Sequence, residues 1–143
     1  MNYIQLAKIE MFKDKPDLKL AFEYLTQACK QNNPEAMYAL GSWYLHGLYV
    51  SQDYTQAVTY LKQAAEHNHS DALFDLAVCY ESGQGVDIDL EQAFKYYLLS
   101  SLSGDKQATY ELGRMYYYGI GVKEDQNMGE ILISKTIKDE AVL

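Results

Sequence analysis

Small and apolar residues recur along the chain at a fixed spacing of 36 positions. Ala36, for example, is followed at this step by Ala72 and Ala108. Other sets keep the same register without insertion or deletion: Leu40, Leu76 and Leu112; Gly41, Ala77 and Gly113; Tyr44, Tyr80 and Tyr116; Val50, Val86 and Val122; Tyr24, Tyr60 and Tyr96. Chance does not align about ten such columns, so the chain is built from repeated units.

The first half of each unit predicts a helix. In the unit 34–69 the small and apolar side chains have the i, i+4, i+5 and i+8 spacing of one helical face; they are Ala36, Leu40, Gly41 and Tyr44. Asn33 is a good N-cap residue, and Pro34 suits the first helical position. We therefore predict a helix from Pro34 to His46.

A glycine loop and a second helix complete each unit. The glycines of two loops lie next to acidic residues and therefore indicate turns with positive φ rather than a phosphate-binding loop; they are Gly83, Gly85, Gly119 and Gly121. Gly47 begins the corresponding loop of the unit 34–69. The second helix begins at an aspartate in each unit. Two of these aspartates have Gln three residues later and predict a capping box: Asp53 with Gln56, and Asp89 with Gln92, whereas Asp125 has none.

The motif of each unit resembles the Sel-one-like repeat (SLR) family, which is related to the tetratricopeptide repeats. The residues that carry the resemblance are Ala36, Leu40, Gly41, Tyr44, Gly47, Val50, Asp53, Ala57, Tyr60, Ala64 and Ala65. Neither helix of a unit can bury its apolar face alone, so the units must stack. We expect an all-α fold, an α-α solenoid of helix-turn-helix repeats with a 36-residue pitch, and the resemblance implies a right-handed superhelix.

The chain is expected to form a single repeat domain over 1–143. The two end units depart from the motif: Lys8 stands where Tyr is expected, and Gly129 stands where Ala is expected. We interpret both ends as degenerate capping half-units, which solenoids need at their exposed faces. The divisions are an N-terminal capping unit 1–33, the repeats 34–69 and 70–105, and a repeat with a C-terminal capping helix, 106–143.

Composition narrows the range of partners. The chain has 143 residues and a formal net charge of −8, which argues against binding nucleic acid or an anionic membrane surface. No stretch is long and apolar enough to suggest membrane insertion. No signal peptide is visible and two cysteines form no disulfide framework, so we expect a cytoplasmic location, or a periplasmic one if a leader has been removed.

No constellation of residues predicts catalysis, and we expect neither an enzyme nor a cofactor. His67 and His69 lack metal-ligand spacing and are interpreted as surface histidines in a turn. Seven acidic residues and no Lys or Arg lie between Gln63 and Phe94. This run is either a solvated face with helix caps or an anionic surface that attracts a basic partner.

The first helices of tetratricopeptide-like units line a concave surface, and the resemblance implies the same here. The residues predicted to bind a protein on this surface are Tyr38, Ser42, His46, Phe74, Val78, Glu81, Tyr110, Arg114, Tyr117 and Tyr118. Tyr38, Phe74 and Tyr110 place one ring in each unit, although such rings can instead pack between adjacent first helices. Arg114, Tyr117 and Tyr118 occupy positions that the repeat pattern does not explain.

These observations predict a non-enzymatic module that binds a partner protein or peptide on its concave, Tyr-rich face. The resemblance implies a bacterial adaptor. One alternative is a small acidic immunity protein that neutralises a basic toxin, and another is an SLR protein that binds cell-wall glycans or accompanies a hydrolase. A scaffold that oligomerises through its end units is a further alternative, since 129–143 is apolar enough to dock on a neighbour.

Overall fold

The computed structural model describes residues 1–141, with side chains through Lys138, as an all-α solenoid. Consecutive helices pair and the pairs stack along the chain. The last two residues of the predicted unit 106–143 lie outside the described residues. Within the described part the helices are α1 (Tyr3–Met11), α2 (Leu18–Lys30), α3 (Pro34–His46), α4 (Tyr54–Glu66), α5 (Ser70–Ser82), α6 (Leu90–Leu102), α7 (Lys106–Tyr118) and α8 (Gln126–Ala141).

One backbone hydrogen bond closes three of the helix pairs in the same way. The N–H of the aspartate before each of these second helices donates to the carbonyl of the tyrosine that recurs every 36 residues in the first helix. The bonds join Asp53 to Tyr44 at 2.9 Å, Asp89 to Tyr80 at 2.9 Å and Asp125 to Tyr116 at 2.8 Å. The recurring tyrosine therefore accepts the hydrogen bond that holds the two helices of each of these pairs together across the loop.

The aspartates cap the second helices, but without the predicted capping box. The carboxylates of Asp53 and Asp89 accept hydrogen bonds from the backbone N–H groups of Gln56 and Gln92, both at 3.1 Å. The reciprocal bond is absent from both caps in this part of the chain. The prediction was wrong because the N–H that each Gln side chain would bind is already bonded to a tyrosine carbonyl.

In the N-terminal helix pair, α1 and α2, a side chain accepts the corresponding hydrogen bond across the loop. Helix α1 has nine residues, whereas α3 has 13. The buried carboxylate of Glu10 accepts hydrogen bonds from the Asp17 N–H at 3.0 Å and from the Lys13 ammonium at 2.7 Å. The bond from Lys13, followed by that from Asp17, lowers the pKa of Glu10. A carboxylate thus replaces the backbone carbonyl of the other three units.

Two loop glycines let successive units approach closely. Gly85 and Gly121 have φ of +72° and +69°, as the sequence predicted. A Cβ atom at Gly85 would overlap the carbonyl of Tyr54, and one at Gly121 would overlap that of Leu90. Neither position can therefore accept a side chain without moving the preceding second helix.

Stacked tyrosine pairs belong to the scaffold. The rings of Tyr44 and Tyr60 lie 5.8 Å apart and nearly parallel, and those of Tyr80 and Tyr96 repeat this arrangement at 5.6 Å. Fully buried aliphatic side chains fill the space between the helices; the largest of them are Leu40, Leu61, Leu73, Leu76 and Met115.

Both cysteines are free thiols within this packing. Cys79 is buried and Cys29 is half-buried. Burial raises the pKa of each thiol to about 11. They therefore serve as small packing side chains rather than as reactive groups.

The C-terminal helix is polar where an earlier second helix contacts the next unit. In α6, Phe94 packs edge-on against Tyr116 at 5.2 Å between ring centroids, and Leu98 joins the same core cluster. One repeat later these positions are Glu130 and Ser134, and both are exposed. Helix α8 thus has polar side chains at two positions that are apolar in α6, although Ile131 and Ile137 of the same helix are exposed.

Candidate protein-binding face

The outward side chains of α1, α3, α5 and α7 form one surface, which we call the first-helix face. A polar contact joins each helix of this face to the next. The contacts are Lys8 with Glu35 at 2.8 Å, the Tyr38 hydroxyl with Asp75 at 3.1 Å, and Arg114 with Glu81 at 2.8 Å. The predicted binding residues of α3, α5 and α7 thus lie on helices that side-chain contacts join to one another.

Tyr38 packs between two helices of this face. Its hydroxyl donates to the Asp75 carboxylate, and its ring stacks on His69 at 4.7 Å between centroids. Burial, followed by the negative charge of Asp75, raises the pKa of Tyr38. This arrangement matches the alternative that rings of this row pack between adjacent first helices.

His69 lies in the turn between α4 and α5, as predicted, but it is half-buried and also caps a helix. Its Nδ1 atom accepts the Ala72 N–H at 3.3 Å at the start of α5. Asn33 and Asp105 cap α3 and α7 one repeat earlier and later. The 36-residue spacing could have predicted the capping role of His69, because the equivalent residues of the neighbouring units are good N-cap residues.

The row of aromatic residues becomes more exposed toward the C-terminus. Phe74 is half-buried and packs edge-on against Tyr97 at 5.4 Å. Tyr110 is 44% exposed, because no further first helix covers it within the described chain. Of the three predicted rings, Tyr110 is the one with an open surface.

Arg114 lies in a network of hydrogen bonds rather than in open solvent. Its Nη2 atom donates to both carboxylate oxygens of Glu81 at 2.9 and 2.8 Å, and its Nε atom donates to Glu111 at 2.6 Å. The hydroxyl of Tyr97 also donates to Glu81, at 3.1 Å. Two carboxylates therefore neutralise this guanidinium.

Tyr97 is a member of the site that the sequence analysis missed. It comes from α6, a second helix, and its buried ring reaches through to the first-helix face. Burial, followed by the charge of Glu81, raises its pKa. The sequence did contain an indication of its role, because Tyr97 stands at the repeat position that Leu25 and Leu61 occupy in the earlier units.

The other predicted site residues lie on the same three helices, α3, α5 and α7. Ser42 and Val78 are half-buried, and His46 is exposed at the end of α3. At the end of α7 the rings of Tyr117 and Tyr118 meet edge-on at 5.0 Å, and Tyr118 is 68% exposed. Among the predicted site residues, the exposed aromatic side chains are therefore on α7.

Two acidic side chains on α5 lack a cationic partner among the described side chains. Asp71 is exposed and Asp75 is half-buried. Burial, followed by the charge of Asp71, raises the pKa of Asp75, although the hydrogen bond from Tyr38 opposes this change. Neither α3 nor α5 contains Lys or Arg. The centre of the face is therefore anionic.

The described residues provide no cluster of three or more side chains suited to holding a metal ion. Over the same residues, none of the helices has both the length and the apolar character that a bilayer crossing requires.

The family model of the Sel1 repeat matches residues 12–33, 34–69, 70–105 and 106–136. The chain belongs to the Sel1 repeat family. Sel1 repeat proteins are generally protein-interaction modules and typically non-enzymatic scaffolds that bind other proteins. The predicted resemblance is therefore confirmed.

Solved Sel1 repeat structures are similar to this chain. The protein c5321, a protective antigen present in uropathogenic Escherichia coli strains, is 30% identical over 96% of this chain and 30% of its own, with a TM-score of 0.91. A Sel1 repeat protein from Oxalobacter formigenes is 26% identical over 96% of this chain and 57% of its own, with a TM-score of 0.85.

Cysteine-rich protein B of Helicobacter pylori is 28% identical over 89% of this chain and 91% of its own, with a TM-score of 0.64. This chain thus spans 30% of the first of these proteins and a little over half of the second. No curated protein sequence matches the chain.

Proposed function

We propose that this Sel1 repeat chain binds a basic segment of a partner protein on its first-helix face. The observation that carries the proposal is the pair Asp71 and Asp75 on α5, for which no cationic side chain is supplied by α3 or α5. On the neighbouring first helices, Lys8 and Arg114 are already paired with Glu35 and with glutamates of α5 and α7. Lys106, at the start of α7, forms no ion pair with Asp71 or Asp75 among the described side chains.

Asp75 favours a cationic partner for an electrostatic reason. Burial and the neighbouring Asp71 make its ionised form less stable than that of an ordinary aspartate, as its raised pKa indicates. A lysine or arginine from a partner would relieve this cost when it approaches the pair. Complementary charge would also increase the rate of association.

The exposed rings of α7 supply contact area beside this acidic centre. Tyr110 and Tyr118 are the most open tyrosines of the predicted site. Tyrosine offers a large contact area with few rotatable bonds, and such side chains are enriched at the centres of protein interfaces. Neutralisation of a basic toxin would be a special case of this proposal, in which the partner segment belongs to the toxin.

A matched pair of variants tests the proposal. Asp71→Asn with Asp75→Asn removes two negative charges from the face, and Asp87→Asn with Glu91→Gln removes two from the loop and start of α6. Partners would be captured from the native lysate and identified by quantitative mass spectrometry. Their basic segments would then be purified as peptides and titrated into the wild type and both variants. We expect the first variant to weaken binding at least tenfold (about 1.4 kcal/mol) and the second to leave it unchanged. Equal weakening by both would contradict the proposal.

A further inference from the structure

An apolar pocket of about 170 Å³ lies on the first-helix face between α1 and α3. None of its residues belongs to the predicted binding site. Its apolar lining comes from three helices and from the residue that follows α1: Ile4, Ala7, Met11, Phe12, Leu25, Ala39 and Trp43. Lys8 and Glu35 also line it, and their ion pair bridges the two helices.

The pocket exists because small side chains face each other at this junction. One repeat and two repeats after Ala39 come Asp75 and Glu111. Asp75 accepts the hydroxyl of Tyr38, and Glu111 accepts from Arg114, so a large side chain fills each of the later junctions. Ala39 has no polar side chain that could accept a hydrogen bond from a neighbouring helix, and its small side chain leaves the pocket between α1 and α3 unfilled.

Apolar surface continues beyond the pocket at the end of α1. Phe12 is 88% exposed, and Met11 and Ile9 are also exposed. An exposed Phe beside an apolar cavity is typical of a surface that contacts another molecule rather than water.

We propose that this pocket receives an apolar side chain of the same partner segment whose basic residues face Asp71 and Asp75. The inference rests on the proposed function. Charge complementarity supports one continuous ligand, because the open acid Asp71 occupies in the next unit the position of Glu35, which lines the pocket and is paired with Lys8. A segment that crosses from α3 to α5 would therefore leave the pocket and reach the open charges of Asp71 and Asp75.

Geometry sets the spacing within that segment. Packed helices lie about 10 Å apart, so a pocket between α1 and α3 lies roughly 15 Å from α5. An extended chain advances about 3.3 Å per residue, so the apolar residue and the first basic residue would be separated by roughly four or five positions. A cavity of about 150 Å³ holds a benzene-sized group, so the pocket suits Leu, Ile, Met or Phe.

The experiment selects binders from a random peptide library displayed on phage, with the whole chain as bait. Parallel selections use Ala39→Leu, which fills the pocket, and Thr59→Leu, which adds the same side chain at an exposed position of α4. Ala39→Gln replaces Ala39→Leu if circular dichroism shows that the latter does not fold. Selected peptides are then titrated while the emission of Trp43 is measured, because the chain's single Trp lines the pocket.

We expect wild-type binders to share an apolar residue about four or five positions from Lys or Arg, and to change the emission of Trp43. Ala39→Leu should weaken these peptides by about tenfold or more, the effect of leaving a leucine-sized side chain in water. Thr59→Leu should not weaken them.

Three outcomes would overturn the inference, and they separate it from the proposed function. Basic binders that lack an apolar residue and leave the emission of Trp43 unchanged would refute binding in the pocket but would agree with binding at the acidic face. Binders that require the pocket but carry no basic residue would overturn both the shared ligand and the proposed function. Self-association of the wild type that Ala39→Leu abolishes would assign the pocket to a second copy of the chain.

Discussion

Arg114 donates from one nitrogen to both carboxylate oxygens of Glu81, at 2.9 and 2.8 Å, and so ties α7 to α5. Its Nε atom bonds Glu111 on its own helix. The arginine that seemed free to contact a partner is thus held inside the face. Its consequence for function is electrostatic, because it offsets one of the two negative charges beside it, whereas Asp71 and Asp75 have no cationic partner among the described side chains.

Removal of this guanidinium should destabilise the fold. Arg114→Ala leaves two half-buried carboxylates facing each other, and we expect a loss of about 2 kcal/mol in urea unfolding. Adding Glu81→Gln and Glu111→Gln to that variant should restore part of the loss. Lys8→Ala breaks an ion pair whose side chains are about half exposed, and it should change stability by less than about 0.5 kcal/mol. Equal losses for Arg114→Ala and Lys8→Ala would show that the network adds nothing.

Asp75→Asn should stabilise the free protein at neutral pH. The pKa of Asp75 is raised in the folded state, so its ionised form opposes folding at pH values above that pKa. The asparagine oxygen can still accept the Tyr38 hydroxyl. The gain should decline as the pH falls through the raised pKa and vanish below the ordinary value of 3.8. Unfolding curves from pH 3 to pH 7 measure this, with Asp87→Asn as the control; a gain that does not depend on pH would refute the explanation.

Two glycine variants separate backbone strain from close packing. Gly104 and Gly121 both have positive φ, but a Cβ atom at Gly104 would meet no atom within 4 Å. Gly104→Ala should therefore cost about 1–2 kcal/mol. Gly121→Ala should cost about 1–3 kcal/mol more, because the new carbon overlaps the Leu90 carbonyl. Thermal unfolding of both variants tests this, and similar losses would mean that the units can separate without cost.

The N-terminal pair should depend on an acceptor at position 10 rather than on its charge. Glu10→Gln keeps an oxygen for the Asp17 N–H, whereas Glu10→Ala leaves that N–H without its partner. We expect the Asp17 amide to exchange roughly tenfold or more faster in Glu10→Ala than in Glu10→Gln. Native-state hydrogen exchange gives this comparison. If both variants exchange equally fast, the ion pair with Lys13 is the important contact.

Local signals allowed the sequence to predict most of the fold. Helix α3 was predicted from Pro34 to His46 and has those bounds, because Asn33 caps its start and Gly47 ends it with φ of +69°. Local hydrogen bonds set such boundaries, and they involve residues close in the chain. The capping boxes failed because the competing acceptor, the Tyr44 carbonyl, lies across the loop.

The site was less predictable because its contacts depend on the stagger between helices. Tyr38 meets Asp75 and Arg114 meets Glu81 across different units, at offsets that differ from one junction to the next. A repeat register places residues in columns, but it does not specify which side chains of two neighbouring helices touch. The pocket beside Ala39 was not predicted for the same reason, since the sequence does not show which side chains of α1 lie opposite this alanine.

The affinity for a basic partner segment, measured by titration calorimetry, tests the central claim most directly. The wild type would be compared with Asp71→Asn/Asp75→Asn and with the charge-matched control Asp87→Asn/Glu91→Gln. The proposal predicts that the first double variant binds at least tenfold more weakly while the control binds as the wild type does. Equal affinity of the wild type and the α5 variant would contradict it.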